Sequence, residues 1–115
     1  MLVDEYEALI SELEGLGLRV FTDVHQLRPG GILIDPPTYR SISKTIVEAD
    51  YPIHLVAAPP GDWRALKATL AQLDTIFENL GSASTMTANP SVYSTGAQDL
   101  PSYQLTATVT YRRST

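Results

Sequence analysis

Residues 62–81 read DWRALKATLAQLDTIFENLG, and their spacing decides one half of the fold. Trp63, Leu66, Leu70, Leu73, Ile76, Phe77 and Leu80 recur three and four residues apart without a break, which predicts an amphipathic helix over 62–80. At about 1.5 Å per residue it would be about 28 Å long. Asp62 is suited to cap it, because its carboxylate accepts N–H groups that the first turn leaves unpaired. Gly81 stands where a left-handed C-terminal cap is expected. The same periodicity places Trp63 in the core rather than at an interface.

Toward the C-terminus the period changes to two. Tyr103, Leu105, Ala107, Val109 and Tyr111 alternate with Gln104, Thr106, Thr108 and Thr110, as in an antiparallel strand with one face on a core. Between helix and strand, residues 82–102 are rich in Ser, Thr, Asn, Gly and Pro, with Met86, Val92 and Tyr93 as their large apolar anchors. They predict one short strand and a long loop.

On the other side of the helix, residues 51–58 carry Ile53, Leu55 and Val56 and stop at Pro59-Pro60-Gly61, so they predict a strand. Pro52 suggests an edge or a bulge. Residues 38–50 fit either period: Ile42 and Ile46 are spaced as in a helix, yet Ile42, Lys44 and Ile46 also alternate. Ile32, Leu33 and Ile34, closed by Asp35-Pro36-Pro37, form a strand buried on both faces or tucked against a helix. Residues 24–31 end in Pro29-Gly30-Gly31 and read as an exposed loop, and residues 18–23 read as a strand. Over residues 3–14, Tyr6, Leu9, Ile10 and Leu13 form a helical stripe that Gly15 and Gly17 end. Asp4, Glu5 and Glu7 complement the positive end of that helix's dipole.

The predicted order α-β-β-β-α-β-β implies an α+β fold: a largely antiparallel or mixed sheet with two helices packed on one face. A chain of 115 residues, 43% hydrophobic and 18% charged, has room for a single domain over 1–115 with one core. Its net charge of −5 argues against a protein that holds nucleic acid by neutralising phosphates. There is no Cys, hence no disulfide, no thiolate nucleophile and no Cys-based metal site. The acidic start, and the lack of a run near the ~20 apolar residues that span a bilayer, predict a soluble protein with no membrane partner.

Catalytic signals are weak. His25 and His54 are the side chains that ordinarily titrate near neutrality, and neither has a partner evident in sequence. His54 reads as a core imidazole bonded to a carbonyl, and His25 as a solvated loop residue. There is no Gly-x-Ser-x-Gly elbow, P-loop, Ca²⁺ loop or His-Glu-x-x-His pair. The carboxylates read as solvated faces, and Arg112-Arg113 as a solubilising end. No catalytic residue, metal or cofactor is expected, and the turn-rich stretches suggest assembly more than catalysis.

Four stretches in order carry a likeness: Gly31-Ile32-Leu33-Ile34-Asp35-Pro36-Pro37; Tyr51-Pro52-Ile53-His54-Leu55-Val56; Pro60-Gly61-Asp62-Trp63; and Asp99-Leu100-Pro101-Ser102-Tyr103. Together they resemble the tail terminator, or tail completion, proteins of long-tailed non-contractile phages (siphophages). The resemblance spans nearly the whole chain, and its motifs are structural rather than catalytic.

The resemblance implies a virion protein, assembled in the host cytoplasm, that forms a hexameric ring at the head-proximal end of the tail tube. The ring would stop polymerisation of the major tail tube protein and dock the head-tail connector and other neck proteins. Cyclic symmetry needs two unlike patches on each subunit. The expected places are residues 24–31 and 82–102, with His25, Gln26, Arg28, Pro29, Asn89, Tyr93, Gln98 and Asp99 as interface residues. An acidic lumen would let DNA pass without specific binding, since carboxylates repel phosphate. The competing readings are another neck protein (a connector or stopper), a small α+β enzyme or ligand-binding module, and a cytoplasmic adaptor outside any phage.

Overall fold

The computed structural model describes residues 2–23, 27, 30–59, 61–81, 83–94 and 99–112. In chain order its elements are α1 (Leu2–Gly15), β1 (Val20–Phe21), β2 (Ile32–Ile34), β3 (Thr38–Ser41), β4 (Ile46–Val56), α2 (Trp63–Asn79), β5 (Thr85–Ser94) and β6 (Asp99–Arg112). The strands form one sheet in the order β1-β2-β4-β6-β5, with β3 also on β4. Among the described residues β1 and β2 run parallel and the other strand pairs are antiparallel. The class is α+β, as the alternating and helical periods predict.

Strands β4 and β6 are the spine, paired from Ile46↔Arg112 to Val56↔Ser102. Side chains alternate across a strand, so one face collects Ala49, Tyr51, Ile53 and Leu55 from β4 with Leu105, Ala107 and Val109 from β6. Against it pack Leu9 and Leu13 of α1 and Leu73, Ile76 and Leu80 of α2. Burying each large aliphatic side chain is worth roughly 1.5–3 kcal/mol, enough to hold both helices on this face. Ile32, Leu33 and Ile34 are all buried, as their unbroken apolar run predicts.

The helix ends follow from single residues. Asp62 Oδ1 accepts from the Ala65 N–H at 3.0 Å, the expected N-cap. Gly17 ends α1 with φ 84°, and the Gly61 φ of 76° lets the chain turn into α2. A Cβ on Gly61 would lie 2.7 Å from Pro101, so both conformation and space demand glycine there.

Several expectations are corrected. Residues 38–50 become β3 and the first half of β4, so four strands precede α2 and the last of them ends at Val56 rather than 58. Pro52 lies on neither an edge nor a bulge, since β4 has neighbours on both sides. The Pro52 carbonyl accepts from Asp35 N at 3.0 Å, just where the neighbour of β4 changes from β3 to β2. A strand residue points its N and its C=O to the same side, so the missing Pro52 donor faces the gap between those two strands. The stretch 82–102 is mostly strand: β5 pairs with β6 from Thr85↔Thr108 to Ser94↔Asp99. Its polar side chains suit an edge strand, and ladder pairing overrides its modest strand propensity. Gly81 is not left-handed; α2 ends at Leu80, whose N–H bonds the Ile76 carbonyl.

Candidate interaction surfaces

The sheet face away from the helices carries a polar cluster across β3, β4 and β6, and toward the C-terminal end of β4 it also carries the buried Leu33, Val56 and Leu100. From β3, Arg40 reaches Glu48 and Asp50 on β4, and the Thr108 hydroxyl of β6 donates to Asp50 Oδ1 at 2.7 Å. The register explains the meeting, since Arg40 lies opposite Glu48, and Asp50 lies opposite both Thr38 and Thr108. Hydrogen bonds from Arg40 and then Thr108 hold the Asp50 carboxyl below the usual carboxylate range. The bonds to Asp50 and Glu48 raise the Arg40 pKa in turn, so it stays a cation. Farther along this face His54 Nε2 and Asp35 Oδ2 are 2.7 Å apart. His54 is thus half-buried on the polar face and bonded to a side chain, not the core imidazole its apolar neighbours suggested. Asp35, Glu48 and Asp50 likewise have specific partners instead of solvent alone.

This arrangement has limited chemical scope. Every contact resolved around Asp50 is a charge neutralisation or a hydroxyl bond, which positions strands. No group of three or more His, Cys, Asp or Glu is placed to hold a metal among the described residues. No described helix is long and apolar enough to cross a membrane.

On the helix side, Tyr51 is fully buried and its ring stacks on Tyr6 at 5.9 Å between centroids. The Tyr51 and Tyr111 hydroxyls bond each other, and the Tyr6 hydroxyl donates to the Ile34 carbonyl at 3.2 Å. Burial first, and the Tyr111 bond second, push the Tyr51 phenol well above its ordinary range. Burial likewise raises Tyr6, and it raises Tyr111 against the opposing effect of the Tyr51 bond. The cluster ties α1 to β2, β4 and β6.

The second surface is the flank of α2. Its inward line, Thr69, Leu73 and Ile76, is buried, but Trp63 is 62% exposed and Phe77 43% exposed, with Leu66 and Leu70 half-buried between them. Trp63 is therefore not a core residue. Lys67 Nζ sits 5.5 Å from its ring centroid, a cation–π contact at the surface. An open groove lined by Lys67, Leu70, Ala71, Leu73, Asp74 and Phe77 follows the flank. Opposed residues of paired strands share a face, so the register puts Met86, Ala88, Pro90 and Val92 of β5 on the helix side of the sheet. Val92 is 65% exposed there.

Of the expected interface residues, Asn89, Tyr93 and Asp99 are in strands rather than a loop. Asn89 and Tyr93 lie on the polar face, opposite Gln104 and Leu100, and Asp99 pairs with Ser94 at the hairpin end. His25, Gln26, Arg28, Pro29 and Gln98 lie outside the described residues. The α2 flank and the Arg40 cluster were not among the expected sites. The width of the apolar arc of α2 was a usable signal: Trp63, Leu66, Leu70 and Phe77 run beside the Leu73, Ile76 and Leu80 line, more than one sheet contact can cover. The Arg40 cluster had no comparable signal, because residues 38–50 do not declare their period. The chain matches no protein-family model and no curated protein sequence.

Proposed function

We propose that this chain is a non-enzymatic structural subunit of a phage virion, a tail terminator. It forms a ring at the head-proximal end of the tail tube, stops tube polymerisation and joins tail to head, and DNA passes through the lumen without specific binding. One observation supports an assembly role most: Trp63 and Phe77, both large and exposed, stand toward the two ends of one flank of α2 with Leu66 and Leu70 half-buried between them, and Val92 is exposed on the same side of the sheet on the edge strand β5. Exposed apolar groups grouped in this way mark protein contact surfaces rather than small-molecule sites, which are concave. The phage assignment itself rests on the sequence resemblance.

Negative-stain imaging of the purified protein over a range of concentrations, alone and with purified tail tubes, tests the proposal. Uniform six-fold rings with a central hole, or caps on tube ends that stop elongation, are the expected result. Monomers that neither cap nor shorten tubes would overturn it, and rings that bind portal or connector but ignore tubes would favour the neck-protein reading.

A further inference from the structure

One long edge of the sheet is open. Among the described residues β5 pairs with β6 on one side and with nothing on the other. It is ten residues long and carries no charged side chain, although charges are a common guard of exposed edges. The Ala57 N–H donates to the Pro101 carbonyl at 2.9 Å, so the backbone groups of Pro101 face β4. Val92, opposite Pro101, therefore turns its own N–H and C=O away from β6, and by alternation so do Met86 and Ala88. Pro90 also faces outward but presents a carbonyl alone, which guards the middle of the edge.

A helix flank overhangs the same edge. Helix α2 packs on β4 and β6, with Thr69, Leu73 and Ile76 buried beneath it. The Gln72 amide donates to the Gly30 carbonyl, and the Gly30 N–H donates to the Val56 carbonyl on the β2 side of β4. At about 100° per residue, Leu66, Leu70 and Phe77 lie on the other side of the buried line from Gln72, so they lean toward β5. The start of α2 lies beside Pro101, opposite Val92, since Gly61 approaches Pro101 closely. The Leu70 to Phe77 half of α2 thus borders the Met86 and Ala88 half of the edge. Along its rim Lys67 stands near Asp74 and Glu78, charges of both signs that favour no charged partner.

We propose that this corner takes an extended, uncharged segment of another protein, which adds to the sheet along Met86 and Ala88 and sets alternate apolar side chains against Leu70 and Phe77. The unpaired backbone row selects an extended chain over a helix, because a helix bonds its own N–H and C=O groups. Residues opposite Met86 and Ala88 share their face of the sheet, so every second side chain of the segment points to the helix side. A second copy does not fill the corner. If two β5 edges paired, each α2 would stay over its own β4 and β6, and the two helices would stand roughly 19 Å apart at ~4.8 Å per strand. Packed helices lie about 8–10 Å apart, so both flanks would remain uncovered. The opposite edge of a second copy offers β1, of two residues, and β3, of four with the charged Arg40. The docking edge stands whether or not the subunits form a ring.

The probe is a set of short acetylated peptides in which Val, Leu or Phe alternates with Thr, added to the isotopically labelled full chain. Saturable binding and slowed solvent exchange at the Met86 and Ala88 amides are expected, while Thr87, already bonded to β6, changes little. Peptides of the same composition with their apolar residues made adjacent, or with alternate amides N-methylated, should bind about tenfold more weakly. Ala88→Pro removes an outward donor and leaves the β6 ladder intact, and Phe77→Ser removes the flank contact. Each should weaken binding about tenfold with the fold retained. Pro90→Ala adds an outward donor and should tighten binding, which decides the matter if Ala88→Pro does not fold.

Absence of saturable binding overturns the proposal, and so does binding that ignores all three substitutions. Met86 and Ala88 amides that become protected in the chain alone as its concentration rises would show a second copy on the edge and also overturn it. Rings or tube caps without peptide binding leave the terminator standing and remove only the docking site. Peptide binding without rings or caps does the reverse.

Discussion

Strands β4 and β6 present two faces that are one residue out of phase, and the two are stabilised by different means. On the helix side Ile53, Leu55, Leu105 and Ala107 are fully buried with Tyr51. On the other side their immediate neighbours Asp50, His54, Gln104 and Thr108 lie among charges and hydroxyls. The first face derives its stability from removing carbon from water, which scales with area. The second derives it from pairing groups that are well solvated when unpaired, so its net yield is small. The helix face therefore holds most of the buried carbon, and on the other face the stretch around Arg40, Asp50 and Thr108 has room to change without unfolding the chain, whereas Leu33, Val56 and Leu100 are buried there.

Neighbouring residues on opposite faces give the sharpest test of that division. Ile53→Ala should cost about 2–5 kcal/mol of unfolding free energy, measured by urea titration, because it removes a branched side chain from a packed site and leaves a cavity. Tyr51→Phe should cost less, about 1 kcal/mol, since the ring stays and one hydroxyl bond is lost. Its clearer signature is in pH. A phenol raised by folding above its ordinary value of about 10 keeps more protons folded than unfolded. Its contribution is therefore complete below pH about 10 and is lost as pH rises beyond it. The alkaline fall in stability should be shallower in Tyr51→Phe than in the parent, and an unchanged slope would exclude Tyr51 as its source.

On the open face, His54→Ala next to Ile53 should cost no more than about 1 kcal/mol, because Asp35 keeps access to water once its partner is gone. If His54→Ala matched Ile53→Ala, the contrast between the faces would be wrong. The smallest change is expected for Arg40→Ala, and it should fade further in about 1 M salt. Its mark is again in pH, with the opposite sign to tyrosine. The folded Asp50 carboxyl lies below its unfolded value of about 3.9, so its stabilisation is complete above that value and is lost as pH falls through the folded pKa. Without Arg40 the acid-side fall, followed between pH about 5 and 2, should flatten.

The same contrast shows why some elements were legible in the sequence and others not. A helix or strand half in water and half in a core writes its period into the chain, so α1, α2 and β6 were readable from Tyr6, Leu9 and Leu13, from Leu66 to Leu80, and from Leu105 to Tyr111. The three buried residues of β2 were readable as an unbroken run. Strands β3 and β5 were not, because their side chains are mostly exposed and their order comes from backbone bonds to β4 and β6. The exposed position of Trp63 was hidden for a related reason: periodicity identifies a stripe but not how much of it a neighbour covers. Asn89, Tyr93 and Asp99 read as loop residues because the polar composition of β5 resembles that of a loop.

By itself the sequence determined the class of the fold, the two helices with the Asp62 cap, the alternating final strand and the acidic balance, because each depends on neighbours within a few residues or on composition alone. Only the tertiary structure decided that Pro52 belongs in a central strand opposite a break between neighbours, that Arg40, Asp50 and Thr108 meet, and that Trp63 and Phe77 stay outside the core. These depend on contacts between residues far apart in the chain. A periodic pattern can mark a face, but only the packed layers determine what covers it.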